Sequence, residues 1–167
     1  VGRIVKEKGF LRMYRVFKLL KNSDKRWEWT IVGDGEYLSE LKSIVEDDGF
    51  QDSVHFAGNI SHQNLSIFYS SHSVFFLLSE YFEAFGLVYL EALSCGMPVV
   101  GYSQYGPAEI FDSVSSCFGV EFNCKDELIC AAIKNAKDSI ENGAGLENTI
   151  FSLDKFRLDI SEVLSDI

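Results

Sequence analysis

Short apolar runs alternate with longer segments of helical period along this chain, and that alternation restricts the fold more than any other feature. Val1–Val5, Glu28–Val32, Ser53–Ala57, Ser73–Leu78, Met97–Gly101 and Ser116–Val120 read as strands. They are continuous apolar stretches, the pattern of strands covered on both faces. Phe10–Lys21, Glu36–Asp47, His62–Ser70, Phe85–Cys95, Lys125–Glu141 and a tail from Ser152 to Leu164 read as helices, with Ser61 as N-cap of the third. Tyr102–Pro107 reads as a loop bordering a pocket. Strand–helix alternation predicts an α/β fold: a doubly wound, parallel six-stranded, Rossmann-like sheet with right-handed crossovers. In the strand order 3-2-1-4-5-6 the first and fourth strands are neighbours, and ligands bind beyond their carboxyl ends.

The 167 residues suffice for one ordinary core and are too few for two. No apolar run approaches the roughly 18 residues of a membrane helix, and Val1–Val5 looks like the middle of a strand, so a fragment of a longer chain is expected. Cys95, Cys117, Cys124 and Cys130 lack C-x-x-C spacing, and His55, His62 and His72 form no i, i+4 pair. No metal site is expected, and the cysteines read as reduced and structural, which points to the cytoplasm. His55, alternating with apolar neighbours, reads as structural. The net charge of −10 disfavours nucleic acid as a partner. Yet residues 1–26 hold nine of the 15 Lys and Arg and two of the 25 acids, +7 there against −17 for the remainder. Arg12, Arg15, Lys18 and Lys21 read most simply as a solvated helix face.

Charge and topology meet at one crevice. The loop after the first expected strand carries Arg3, Lys6 and Lys8; the loop after the fourth carries Glu80, Glu83 and Gly86. Gly86 opens a helix whose free N–H groups and positive dipole end suit a phosphate, with Arg3 and Lys8 as point charges opposite. Glu83 and Glu91 could form the acid/base pair of a glycoside hydrolase, which needs carboxylates about 5–10 Å apart. Eight helical residues rise about 12 Å, which favours two separate hydroxyl acceptors instead. Gly33-Asp34-Gly35 resembles part of a dinucleotide fingerprint, but Leu38 stands at the third glycine position and the loop follows the wrong strand. A tight turn is the simpler reading, and a nicotinamide-dependent dehydrogenase is disfavoured.

Five segments together carry a family resemblance. They are Val1-Gly2-Arg3-Ile4-Val5 with Glu7-Lys8-Gly9-Phe10, Ile31-Val32-Gly33-Asp34-Gly35, Val54-His55-Phe56-Ala57-Gly58, Glu83-Ala84-Phe85-Gly86-Leu87 through Glu91-Ala92-Leu93, and Cys95-Gly96-Met97-Pro98-Val99-Val100. In this order they resemble the C-terminal, donor-binding domain of retaining glycosyltransferases of GT-B fold, group 1 or family 4. The resemblance implies that residues 1–167 are a nucleotide-sugar binding domain whose N-terminal acceptor domain is absent from this fragment. It implies Arg3 and Lys8 on the donor diphosphate, with the backbone of Phe85, Gly86 and Leu87 facing sugar and phosphate. Glu91 would bind the ribose, and Glu83 would stand beside the transferred sugar as the catalytic carboxylate. It further implies hexosyl transfer from a nucleotide diphosphate sugar to a glycan or lipid-linked acceptor in surface polysaccharide synthesis. No cofactor or bound metal is expected, and the full-length protein would work in the cytoplasm, at the inner face of the membrane or peripherally on it. The fragment alone is expected to be inactive. Between Ser79 and Glu83 this chain has one residue more than the family's commonest pattern. The alternative is a non-catalytic nucleotide-binding or interaction domain of the same fold.

Overall fold

The computed structural model describes residues 1–81 and 86–141; the expected tail helix lies outside them. Five strands, β1 (Trp29–Val32), β2 (Val54–Gly58), β3 (Phe75–Leu77), β4 (Val99–Tyr102) and β5 (Cys117–Val120), alternate with six helices. The helices are α1 (Phe10–Ser23), α2 (Leu38–Asp47), α3 (His62–Ser70), α4 (Leu87–Ser94), α5 (Gly106–Ser113) and α6 (Asp126–Glu141). All strand pairs are parallel, as continuous apolar runs require, but they form two sheets, β1-β2 and β3-β4-β5, rather than one of six strands. The first expected strand is the reason. Residues 1–5 form no strand: only the Gly2 and Ile4 amides bond to the end of β1, at the Val32 and Asp34 carbonyls, 2.9 and 2.8 Å away. At Lys6 the chain turns into a short 3-10 helix, Lys6–Lys8, before a ladder can form.

Helix order follows strand order. α1 packs on α6, which covers β4 and β5, while Tyr14 of α1 reaches the end of α2 through Asp48 and Phe50. α3, α4 and α5 make the other layer: α3 on α4, α4 on β4, and Tyr89 of α4 edge-on to Phe111 of α5. β4, hydrogen-bonded on both sides, is buried at every position. At Gly101 the absence of a side chain admits the Tyr89 hydroxyl. β2, at the edge, buries only Val54 fully, and His55 is half exposed against Glu28 at 3.3 Å. α1 turns Met13, Tyr14, Val16, Phe17 and Leu20 inward, an apolar stripe at helical spacing. Between the two sheets lies a cavity of about 510 Å³, lined by Val1, Met13, Phe17, Trp29, Phe75 and Phe76 among others.

Two local expectations need correction. Gly106-Pro107 starts α5 rather than continuing a loop; proline in the first helical turn lacks an N–H that would have had no partner there. Of the expected solvated face, Arg15 is exposed, while Arg12, Lys18 and Lys21 are half-buried and engaged with distant partners or carbonyls. Arg12, 13% exposed, bonds Asp126 at 3.0 Å, the Tyr102 hydroxyl, and the carbonyls of Phe122 and Cys124. Arg15 joins Asp126, Lys18 joins Asp48, and Lys21 donates to the Lys25 and Trp27 carbonyls. Ser61 does hold the N-cap position of α3, in extended conformation, without a capping hydrogen bond from its hydroxyl.

Candidate functional site

The loops at the carboxyl ends of the strands are tied together by backbone. A Cβ on Gly33 would run into the Gly2 carbonyl, and one on Gly35 into that of Ile4, so the glycines let the β1 loop close on the first segment. Asp34 Oδ1 accepts the Gly35 N–H at 2.7 Å, completing a tight turn. Gly9, left-handed at φ 71°, ends the 3-10 helix and lies so close to the Leu78 carbonyl that no side chain fits. Beside it the Glu80 and Tyr81 amides both donate to the Glu7 carbonyl, at 2.8 and 3.1 Å. This clamp fixes the loop carrying Lys8 against the chain leaving β3, the juxtaposition that the strand order 3-2-1-4-5-6 implies.

The other candidate element is α4. Gly86 is its N-cap, left-handed at φ 67°, and a Cβ there would meet the Tyr89 ring at 2.7 Å and Pro107 at 3.1 Å. Leu87, the first helical residue, is exposed, and the Tyr89 amide closes the first turn on the Gly86 carbonyl at 2.9 Å. Tyr89 braces the turn from below, its hydroxyl donating to the Leu77 carbonyl at 2.8 Å. Glu91 follows on the same helix, half-buried, with Oε2 accepting the Tyr69 hydroxyl of α3 at 3.1 Å. Glu91 and Lys8 are both within electrostatic reach of the Val1 backbone nitrogen.

Of the residues singled out from sequence, Arg3 is exposed on the first segment, Lys8 is half-buried on the 3-10 helix, and Gly86, Leu87 and Glu91 line up along the start of α4. Glu83 and Phe85 lie outside the described residues. Lys6 turns away from the group to pair with Glu40 at 3.0 Å, over the Tyr37 ring. The 510 Å³ cavity is lined by none of Arg3, Lys8, Gly86 and Glu91. Among the described residues no three His, Cys, Asp or Glu gather as a metal-ion cluster, all four cysteines are free, and no helix is long and apolar enough to cross a membrane. Sequence reasoning missed Tyr69 and Tyr89. Their only signal was a tyrosine hydroxyl on an otherwise inward-facing position, where a buried phenol needs an acceptor. Tyr105, within the expected loop after β4, is the non-glycine residue of positive φ, 57°, among the described residues.

Parallel α/β domains of this doubly wound class bind their ligands beyond the carboxyl ends of the strands, where Arg3, Lys8 and the glycine-capped start of α4 occur in this chain. Residues 1–144 match the family model "Glycosyl transferases group 1", and the chain belongs to that family. It is 32% identical over 111 residues to a 2-deoxystreptamine N-acetyl-D-glucosaminyltransferase of Niallia circulans, covering 66% of this chain and 28% of that protein. It is 30% identical over 139 residues to the lipopolysaccharide core biosynthesis glycosyltransferase LpsD of Rhizobium meliloti, covering 83% of this chain and 38% of the relative. The chain thus spans well under half of these curated relatives. The crystal structure of Anabaena HepE with UDP-glucose shares the fold at TM-score 0.71 and 22% identity, over 99% of this chain and 47% of HepE.

Proposed function

We propose that this chain is the donor-binding domain of a retaining glycosyltransferase that moves a sugar from a nucleotide diphosphate sugar to a glycan or lipid-linked acceptor. The observation that carries the reading is the Glu7 clamp, which ties the segment bearing Lys8 to the chain that leaves β3 towards α4. Arg3 and Lys8 hold the diphosphate with the N–H groups of Gly86 and Leu87, Glu91 accepts the ribose hydroxyls, and Glu83 stands beside the transferred sugar. In this reading the bond from the anomeric carbon to the diphosphate oxygen breaks while the acceptor oxygen bonds the same face. The acceptor proton passes to the departing phosphate oxygen. Glu83 orients and stabilises charge rather than attacking, and the cations and helix amides carry the diphosphate charge without a resident cofactor.

HepE was crystallised with UDP-glucose, and LpsD is named for lipopolysaccharide core synthesis, which supports a sugar nucleotide donor and a surface glycan or glycolipid product. The acceptor domain belongs to the rest of the protein, working in the cytoplasm at the inner face of the membrane. Titration of UDP-, GDP- and ADP-linked sugars into this chain tests the reading. Saturable binding by one of them, lost in Arg3→Ala and in Glu91→Ala, is expected; binding untouched by both substitutions refutes it. Sugar transfer by this chain alone would refute the assignment of acceptor chemistry to a separate domain.

A further inference from the structure

Tyr69 is buried to 3% exposure on α3, and its hydroxyl ends on Glu91 Oε2 across the helix interface, 3.1 Å away. Its ring cannot swing aside: it stands edge-on to Phe75, with centroids 6.0 Å apart, and Phe75 stands edge-on to Tyr89 at 5.7 Å. Burial, with the Glu91 charge next, pushes the phenol well above its ordinary pKa, so the hydroxyl keeps the proton it donates. An ionised carboxylate is acceptor-only with about four lone-pair positions, of which the phenol takes one. A glutamate left to itself would sample many rotamers and lose that freedom on binding. Phenylalanine would pack the α3–α4 interface equally well and leave Glu91 unheld.

We propose that Tyr69 is a positioning residue that fixes one oxygen of Glu91 and so presents the carboxylate to the vicinal hydroxyls of a nucleoside diphosphate ribose. The proposal rests on the reading of Glu91 as the ribose acceptor. A ligand-side cycle tests it by calorimetry. UDP, GDP and ADP are titrated first, and the tightest is compared with its 2′,3′-dideoxy form on the unaltered chain, Tyr69→Phe, Glu91→Ala and the double variant. Tyr69→Phe is expected to weaken the ribonucleotide about fivefold to tenfold. It should leave the dideoxynucleotide unchanged and add no loss to Glu91→Ala. Equal losses on both nucleotides, or none on the ribonucleotide, overturn the positioning role while the site reading stands. If the unaltered chain binds both forms equally, or none of the three nucleotides at millimolar concentration, the ribose reading of Glu91 falls and the proposal with it. Should Tyr69→Phe fail to fold, Tyr69→Met fills the same space without a donor and carries the same expectations.

Discussion

Gly86 and Gly96 bracket α4, both left-handed, at φ 67° and 76°, and their surroundings differ in a way that an alanine reads out. At Gly96 a Cβ would meet nothing within 4 Å, so Gly96→Ala carries only backbone strain, about 1–2 kcal/mol. At Gly86 the same strain is joined by contacts of 2.7 and 3.2 Å with Tyr89 and 3.1 Å with Pro107. Tyr89 cannot retreat. Its hydroxyl is bonded to the Leu77 carbonyl, and its ring stands edge-on to Phe75 and Phe111 with centroids 5.7 and 5.2 Å away. Overpacking against such a neighbour costs about 1–3 kcal/mol more, so Gly86→Ala should lose about 2–5 kcal/mol in all. Urea titration of both variants against the unaltered chain is the assay, read as a shift in midpoint at constant slope. Losses agreeing within about 0.5 kcal/mol would refute the steric account and leave only backbone strain at both ends of the helix.

Arg12→Met should destabilise by about 2–4 kcal/mol in the same assay, less than the full cost of breaking a buried pair because Asp126 keeps Arg15, whereas Arg15→Ala should cost no more than about 1 kcal/mol. Burial pushes the Cys117 thiol up to about 12, so at pH 8 it should react with a disulfide reagent far more slowly than a free thiol, while urea makes it react at once. Because the folded pKa lies above the unfolded one, the stability tied to this neutral thiol is whole below about pH 8.5 and declines as pH rises towards 12, and the urea midpoint of the unaltered chain should fall more over that range than that of Cys117→Ala.

Much of this architecture is local, and local pattern reveals it. Apolar runs marked every strand from β1 to β5 to within two residues, because a strand buried in a parallel sheet has no polar face to obscure it. The sheet division escaped because it depends on how many amides of residues 1–5 reach β1, which composition does not encode. α5 escaped because Gly-Pro signals a turn and a helix start alike. Arg12, within the basic stripe on α1, was misread for a different reason. The partners of Arg12 lie 90 to 114 residues away, beyond any periodicity. At the site, glycine and charge spacing singled out Gly86, Arg3, Lys8 and Glu91, all chemistry carried along the chain. Tyr69 meets Glu91 only through the packing of α3 on α4.

The Glu7 clamp consists of two amides and one carbonyl, with no side chain involved. Any residue other than proline at positions 80 and 81 supplies the same donors, and any residue at position 7 the same acceptor. The frame of the crevice is therefore indifferent to substitution at those three positions, while the side chains they project remain open to change. A lineage can rewrite what its crevice prefers there without having to rediscover how to hold it open.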